Sequence, residues 1–254
     1  MPEAKTGVRS VLVPVVTLVV LLLVWELADV VFGFKKIILP APHEIAYAFA
    51  AHWRALLIST GITMLESVLG FMVGSLVAFL LGVAFLYSQT TRYAVYPYAV
   101  ALKSTPLIAI APLLVIWFGN GILSKIVMSA LVAFFPVLVN AVDGLTSMDP
   151  EALDLMKSLS ATRWQTFWKI RFPHSLPYLF SSLKIASSLA VVGAVIGEFT
   201  GATGGIGHLI NTSSYYLDTD VMFAGVVMIS LCGIAFFGLV AYLETVVVFW
   251  RQEE

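Results

Sequence analysis

Six apolar runs dominate the chain, at positions 11–33, 59–87, 93–118, 122–142, 175–197 and 221–250. Each is long enough to cross roughly 30 Å of hydrocarbon at about 1.5 Å per helical residue. The pattern predicts an all-α integral membrane protein with six transmembrane helices; repeated alternating strands of about ten residues, which a barrel requires, do not occur in it. Pro97, Pro106, Pro112 and Pro136 interrupt the third and fourth runs. Proline in a spanning helix frees carbonyls that neighbouring helices or cavity water must satisfy, so these two runs are expected inside the bundle.

Between the fourth and fifth runs lies a polar island, 149–173, reading DPEALDLMKSLSATRWQTFWKIRFP. It predicts two short helices joined by a tight turn. Asp149 caps the first, with Pro150 at its first position and Glu151 beside the positive end of its dipole. Ala152, Leu155, Met156 and Leu159 recur at helical spacing on one face. Thr162 and Gln165 have capping-box spacing for a second helix, on which Trp164, Phe167 and Trp168 share a face. Such a pair must dock on something, either lipid or a partner protein, and it lacks the Lys-rich flank usual for lipid-surface helices.

Of 254 residues, 60% are apolar and 11% charged, against about half and about a quarter for a soluble domain. The net charge of −1 provides no basic field for nucleic acid, and one cysteine, Cys232, excludes an intrachain disulfide framework. The first span is too long, and too acidic at its end, for a cleaved signal peptide, so it is expected to be retained. With the N-terminus in the cytoplasm, the inner segments carry Lys5, Arg9, Arg92, Lys157, Arg163, Lys169, Arg171 and Arg251, against Lys35, Lys36, Arg54 and Lys125 outside. Eight against four puts both termini and the island in the cytoplasm.

Residues 154–173 resemble the coupling loop of binding-protein-dependent ABC importer permeases, whose usual form is Glu-Ala-Ala, three residues, Gly, nine residues, then Ile-x-Leu-Pro. Anchored on Ile170, Arg171, Phe172 and Pro173, the pattern puts Ser160 in the place of the glycine and Asp154, Leu155 and Met156 in the place of Glu-Ala-Ala. The segment Ala161, Thr162, Arg163, Trp164, Gln165 resembles the branch importing nitrate, sulfonates, taurine, bicarbonate and thiamine pyrimidine precursors. Leu39-Pro40-Ala41-Pro42, Trp117-Phe118-Gly119 with Pro106 and Pro112, and the Gly-rich stretch 197–207 are similar to motifs of the same branch. The likeness runs over most of the chain and leaves only the first span without a match.

The resemblance implies a type I importer fold: one permease domain, 1–254, with a cytoplasmic coupling loop at 143–173. It implies a pore-forming subunit, not an enzyme, in the cytoplasmic membrane of a prokaryote. The partners would be a second permease copy, two ATPase subunits that use ATP and Mg, an extracytoplasmic substrate-binding protein and membrane lipid. This chain itself would bind no cofactor. ATPase coupling would fall to Asp154, Leu155, Met156, Ser160, Ala161, Arg163, Trp164, Ile170 and Pro173. The solute would be small and polar or anionic, with the segments 154–156 and 142–145 most similar to presumed pyrimidine-precursor permeases. A turn between the two helices favours positive φ, hence the family's glycine, so Ser160 is expected to cost about 1 kcal/mol.

Ionisable residues within spans normally face the interior or water. Lys103, beside Ser104 and Thr105 in the third run, reads as a cation lining the pathway, as the partner of a structural carboxylate, or as a residue nearer the interface than the run's bounds suggest. Lys184 is expected to serve packing or pairing. Glu66, Glu26 and Asp29 read as carboxylates solvated near the interfaces. Glu198 reads as part of an external gate, as a contact for the delivery protein, or as an ordinary helix-end carboxylate. His43, His52, His174 and His208 are too scattered for a metal site. The glycines at 201, 204, 205 and 207 do not spell a dinucleotide fingerprint, and no phosphate-binding G-x-x-x-x-G-K-[ST] occurs. The competing function is an ion-gradient-driven transporter or channel without an ATPase, which predicts an inverted repeat and midplane carboxylates. A membrane enzyme would need a nucleophile–base or metal constellation, and no His or Cys pairing offers one.

Overall fold

The computed structural model describes residues 6–250, with side chains from Leu12 onward. Lys5 and Arg251, the Arg9 side chain and the two chain ends lie outside the described residues. The elements are all helical: α1 (Thr6–Phe32), α2 (Pro42–Ala51), α3 (Trp53–Tyr87), α4 (Gln89–Ser104), α5 (Leu107–Phe118), α6 (Ile122–Thr146), α7 (Pro150–Ser158), α8 (Arg163–Thr166), α9 (Phe172–Phe199), α10 (Ile206–Tyr216) and α11 (Thr219–Val247). A π-helical turn, Phe167–Arg171, joins α8 to α9. Among the described residues, five helices are long and apolar enough to cross a membrane, counting Arg163–Phe199 as one; α4 and α5 supply a sixth crossing if taken together.

Three boundaries differ from the apolar pattern, each for a backbone reason. The third run is not continuous, because α4 and α5 meet at a bend of 107°. Pro106 causes it: Thr105, just before it, is extended at φ −77°, ψ 131°, as a residue preceding proline prefers. Pro97, Pro112 and Pro136 remain inside helices. The second short helix of the island is not separate either, since it runs through the π turn into α9. Pro173 has no N–H to give the regular ladder, and the wider turn takes up the difference, with Phe172 N–H reaching Phe167 O. Finally, α3 begins at Trp53, six residues ahead of the apolar run, which carries Glu66 well inside the helix.

The chain packs as two compact units. One extends to Leu57 and includes Leu209–Val227. Here the Trp25 and Phe223 rings meet edge to face at 6.0 Å, His43 Nδ1 lies 2.6 Å from Glu26 Oε1, and Lys36 pairs with Asp220 at 2.9 Å. The Asp220 carboxylate beside it holds the Lys36 ammonium above the ordinary lysine range. Most side chains from Leu12 to Leu23 are exposed, an apolar surface suited to lipid.

The second unit comprises Ile58–His208 and α11 from Met228. Its core joins Ala78, Ala99, Ala133, Val137, Leu138, Ala141, Leu179, Ala186 and Ala190. Small residues let the backbones approach, as membrane packing favours. A Cβ on Gly74 would strike the Ala130 backbone, and one on Gly193 would meet Ser129 and Val132. Ser129, at this crossing of α3, α6 and α9, donates to Ala190 O at 2.9 Å. Lys184 pairs with Glu244 at 2.5 Å, which is the pairing expected of a cation at that depth.

Candidate functional site

Two sets of candidate functional side chains stand at opposite ends of the helical run 163–199. The first is the turn between α7 and α8. Asp149 caps α7 by accepting from Glu151 N–H at 3.0 Å. The helix ends in a Schellman arrangement: Ala161 N–H donates to Met156 O at 3.0 Å and Ser160 N–H to Lys157 O at 2.9 Å. Ser160 stands at φ +53°, the left-handed place that suits glycine. The expected capping box is formed, with Gln165 N–H on Thr162 Oγ1 at 3.2 Å and Thr162 N–H on Gln165 Oε1 at 2.8 Å.

These bonds fix a rigid corner with its apolar residues turned outward. Met156 and Phe167 are buried and anchor it, whereas Leu155, Leu159 (67% exposed) and Trp164 (68%) face out. The Trp164 ring stacks on Phe167 at 6.3 Å and meets Trp168 at 5.5 Å, so it is held in place although exposed. Asp154, also exposed, pairs with Lys157 at 2.7 Å. Ile170 and Pro173 are half-buried in the passage to α9, and Arg171 ties it to α6 through Leu145 O at 2.6 Å. Behind the corner, a cleft of about 500 Å³ is lined by Tyr87, Lys157, Ala161, Arg163 and Arg171 among others.

The second set lies at the far end. Glu198 (1% exposed) accepts from Thr63 Oγ1 at 2.6 Å and from Gly207 N–H at 2.5 Å. Ile206 N–H in turn donates to Thr63 Oγ1 at 2.8 Å. Lys125 (1% exposed) donates to Asn120 O at 2.6 Å and Gly201 O at 3.3 Å. Glu66 (3% exposed) brings its carboxyl within hydrogen-bonding reach of Glu198. Gly205 stands at φ +100°, and a Cβ on it or on Gly207 would run into the Glu198 carboxyl.

Three readings are corrected here. Glu66 is not a carboxylate solvated near an interface, because α3 starts early enough to bury it. Lys125 is not a loop cation, since it is enclosed between α6 and the Gly-rich segment. Glu198, in the last turn of α9, is not an ordinary solvated helix-end carboxylate, being enclosed. Glu66 and Lys125 inside apolar runs, with Glu198 directly after one, were the available signal.

Between these ends, Lys103 closes α4. Its Nζ lies 4.7 Å from the Phe135 ring centroid, a cation–π contact in place of a carboxylate partner. Ser104 and Thr105 turn their hydroxyls back to Val100 O and Ala101 O, at 3.2 Å and 3.0 Å. A small cavity of about 200 Å³ opens beside Lys103, against Leu107, Leu131, Phe135 and Leu189.

Long apolar helices and a span broken at Pro106 fit a protein that crosses a membrane several times. Residues 70–247 match the family described as the binding-protein-dependent transport system inner membrane component, and the chain belongs to that family. It is therefore an ABC transporter permease, a multi-pass transport subunit and not a catalytic one. A probable ABC transporter permease of Haemophilus influenzae is 36% identical, over 86% of this chain and 91% of its own length. The formylaminopyrimidine transport permease ThiX of Halalkalibacterium halodurans is 34% identical over 95% and 96%. The taurine transport permease TauC of Escherichia coli is 30% identical over 88% and 84%. In fold, the chain is similar to a chain of the MetNI methionine ABC transporter, with a TM-score of 0.62 at 20% identity, over 76% of this chain and 94% of that one.

Proposed function

We propose that this permease works as half of the pathway of an ATP-driven importer in a prokaryotic cytoplasmic membrane. Both units form one permease domain, 1–254, crossing six times, with α4 and α5 together as the third crossing. Both termini and the loop 143–173 face the cytoplasm. The loop is the coupling loop, and α7 and α8 seat in a groove of an ATPase by the helix-in-groove mode. Two copies form the pathway, two ATPase chains use ATP and Mg, and an extracytoplasmic binding protein delivers the solute. Each ligand shifts the dimer between inward-open and outward-open packings only by its differential affinity for the two.

The observation that carries this reading is the rigid corner bearing exposed Leu155, Leu159 and Trp164. An apolar and aromatic ridge fixed by a Schellman turn and a capping box is suited to transmitting force, and Asp154, Ala161 and Arg163 supply its polar border. Co-purification with an ATPase tests it directly. Asp154→Lys or Trp164→Ala is expected to lower solute-stimulated ATP hydrolysis with the fold intact. Uptake in vesicles that survives without ATP overturns the reading in favour of an ion-gradient transporter.

The solute is small and polar or anionic, with a pyrimidine precursor favoured by the likeness to the formylaminopyrimidine permease along nearly the whole chain. Lys103, Ser104 and Thr105 stand at the break between α4 and α5, where a broken span lines a cavity. Lys103 offers such a solute its one charged contact there. Lys103→Met is expected to reduce uptake about tenfold, the loss of roughly one charged hydrogen bond, while assembly with the ATPase stays normal. Unchanged uptake removes Lys103 from the pathway.

A further inference from the structure

The enclosed cluster of Thr63, Glu66, Lys125 and Glu198 has a donor missing. Glu198 accepts from Thr63 Oγ1 at 2.6 Å and from Gly207 N–H at 2.5 Å. Lys125 spends its hydrogen bonds on the neutral carbonyls of Asn120 and Gly201. Glu66 meets the Glu198 carboxyl, yet its own buried Oε2 has no donor facing it. An ionised carboxylate only accepts, so two carboxyl groups bond to each other only when one brings a hydrogen. The charges agree: two bare carboxylates beside one ammonium would leave a net negative charge buried, whereas one added proton makes the cluster neutral. The groups facing the pair are Lys125 from α6, Thr63 from α3 and the backbone N–H groups of α10.

We propose that Glu66 and Glu198 share one proton, and that this proton, with Lys125, fastens the Gly-rich segment 201–207 against α3, α6 and α9. The segment can lift only when the bonds Ile206 to Thr63, Gly207 to Glu198 and Lys125 to Gly201 part together. Its service as a latch at the outer mouth rests on the importer reading above. The shared proton does not.

Infrared spectroscopy of the purified full chain tests the proton. A protonated-carboxyl band that shifts in D2O is expected in the wild type at neutral pH, lost in Glu66→Gln and in Glu198→Gln but kept in Glu151→Gln, an exposed control. A band that survives Glu66→Gln, or its absence from the wild type, overturns the proposal. Should Glu198→Gln fail to assemble, Glu66→Gln decides alone, because its amide still donates to Glu198. The latch is read by a membrane-impermeant maleimide on Ile206→Cys in a Cys232→Ala background. Labelling, normalised to that of the unfolded chain at the same pH because the thiolate is the reactive form, is expected to rise at least tenfold in alkaline medium and to lose that rise when Glu66→Gln is added. An equal rise in both overturns the latch. Because the band is read without ATP, partner or transport, failure of the importer reading and failure of the proton reading give different results.

Discussion

The two ends of the run 163–199 invert the usual rule of burial in opposite directions. At the α7–α8 corner, leucine and tryptophan are exposed and the backbone bonds are all local. At the Glu198 end, two carboxyls and an ammonium are enclosed, and their bonds reach residues far apart in sequence. Both arrangements are ordered, but they ask for different things. The corner is anchored through Met156, Phe167 and Arg171 and unfinished as a surface, so its exposed apolar side chains call for a partner. The far end is finished as a surface, and its polar side chains hold the fold itself. A substitution at the corner should therefore change assembly, and one at the far end should change stability.

The largest effect is expected from Glu198→Ala, which strands the buried donors at Thr63 and Gly207. Loss of about 3–5 kcal/mol follows for breaking a buried charged network, read as thermal unfolding in detergent; a loss below about 1 kcal/mol would show the cluster to be solvated. Gly205→Ala comes next, at about 1–3 kcal/mol for its positive φ, with the Cβ also forced into the Glu198 carboxyl. Trp164→Ala should leave stability within about 0.5 kcal/mol, as for surface changes. Yet it should weaken ATPase binding by about 2 kcal/mol, roughly 30-fold in Kd. An equal loss of stability would erase the contrast between the ends. The smallest effect is Ser160→Gly, expected to stabilise the corner by about 1 kcal/mol by relieving the left-handed serine; calorimetry of the pair of proteins reads it.

The corner was legible in the sequence because its determinants are local. Asp149, Thr162 and Gln165 cap neighbours within three residues, and the place of Ser160 follows from where α7 stops. The enclosed cluster was not, because Glu66, Lys125 and Glu198 come from three helices and only tertiary packing brings them together. Its separate signals were present: Glu66 and Lys125 lie inside apolar runs and Glu198 directly follows one, where charge persists only with partners. The break at Thr105 and Pro106 was half legible. Four prolines stood in the third and fourth runs, and nothing local distinguished Pro106, which bends the chain, from Pro97, Pro112 and Pro136, whose freed carbonyls the bundle absorbs.

Photocrosslinking from position 159 in the assembled transporter tests the central claim most directly. Leu159 is exposed at the tip of the corner, and a photoreactive side chain there is expected to capture the ATPase chain in high yield, with the yield changing when ATP is added. Capture of phospholipid alone, or labelling of this position from the external side, would contradict the account.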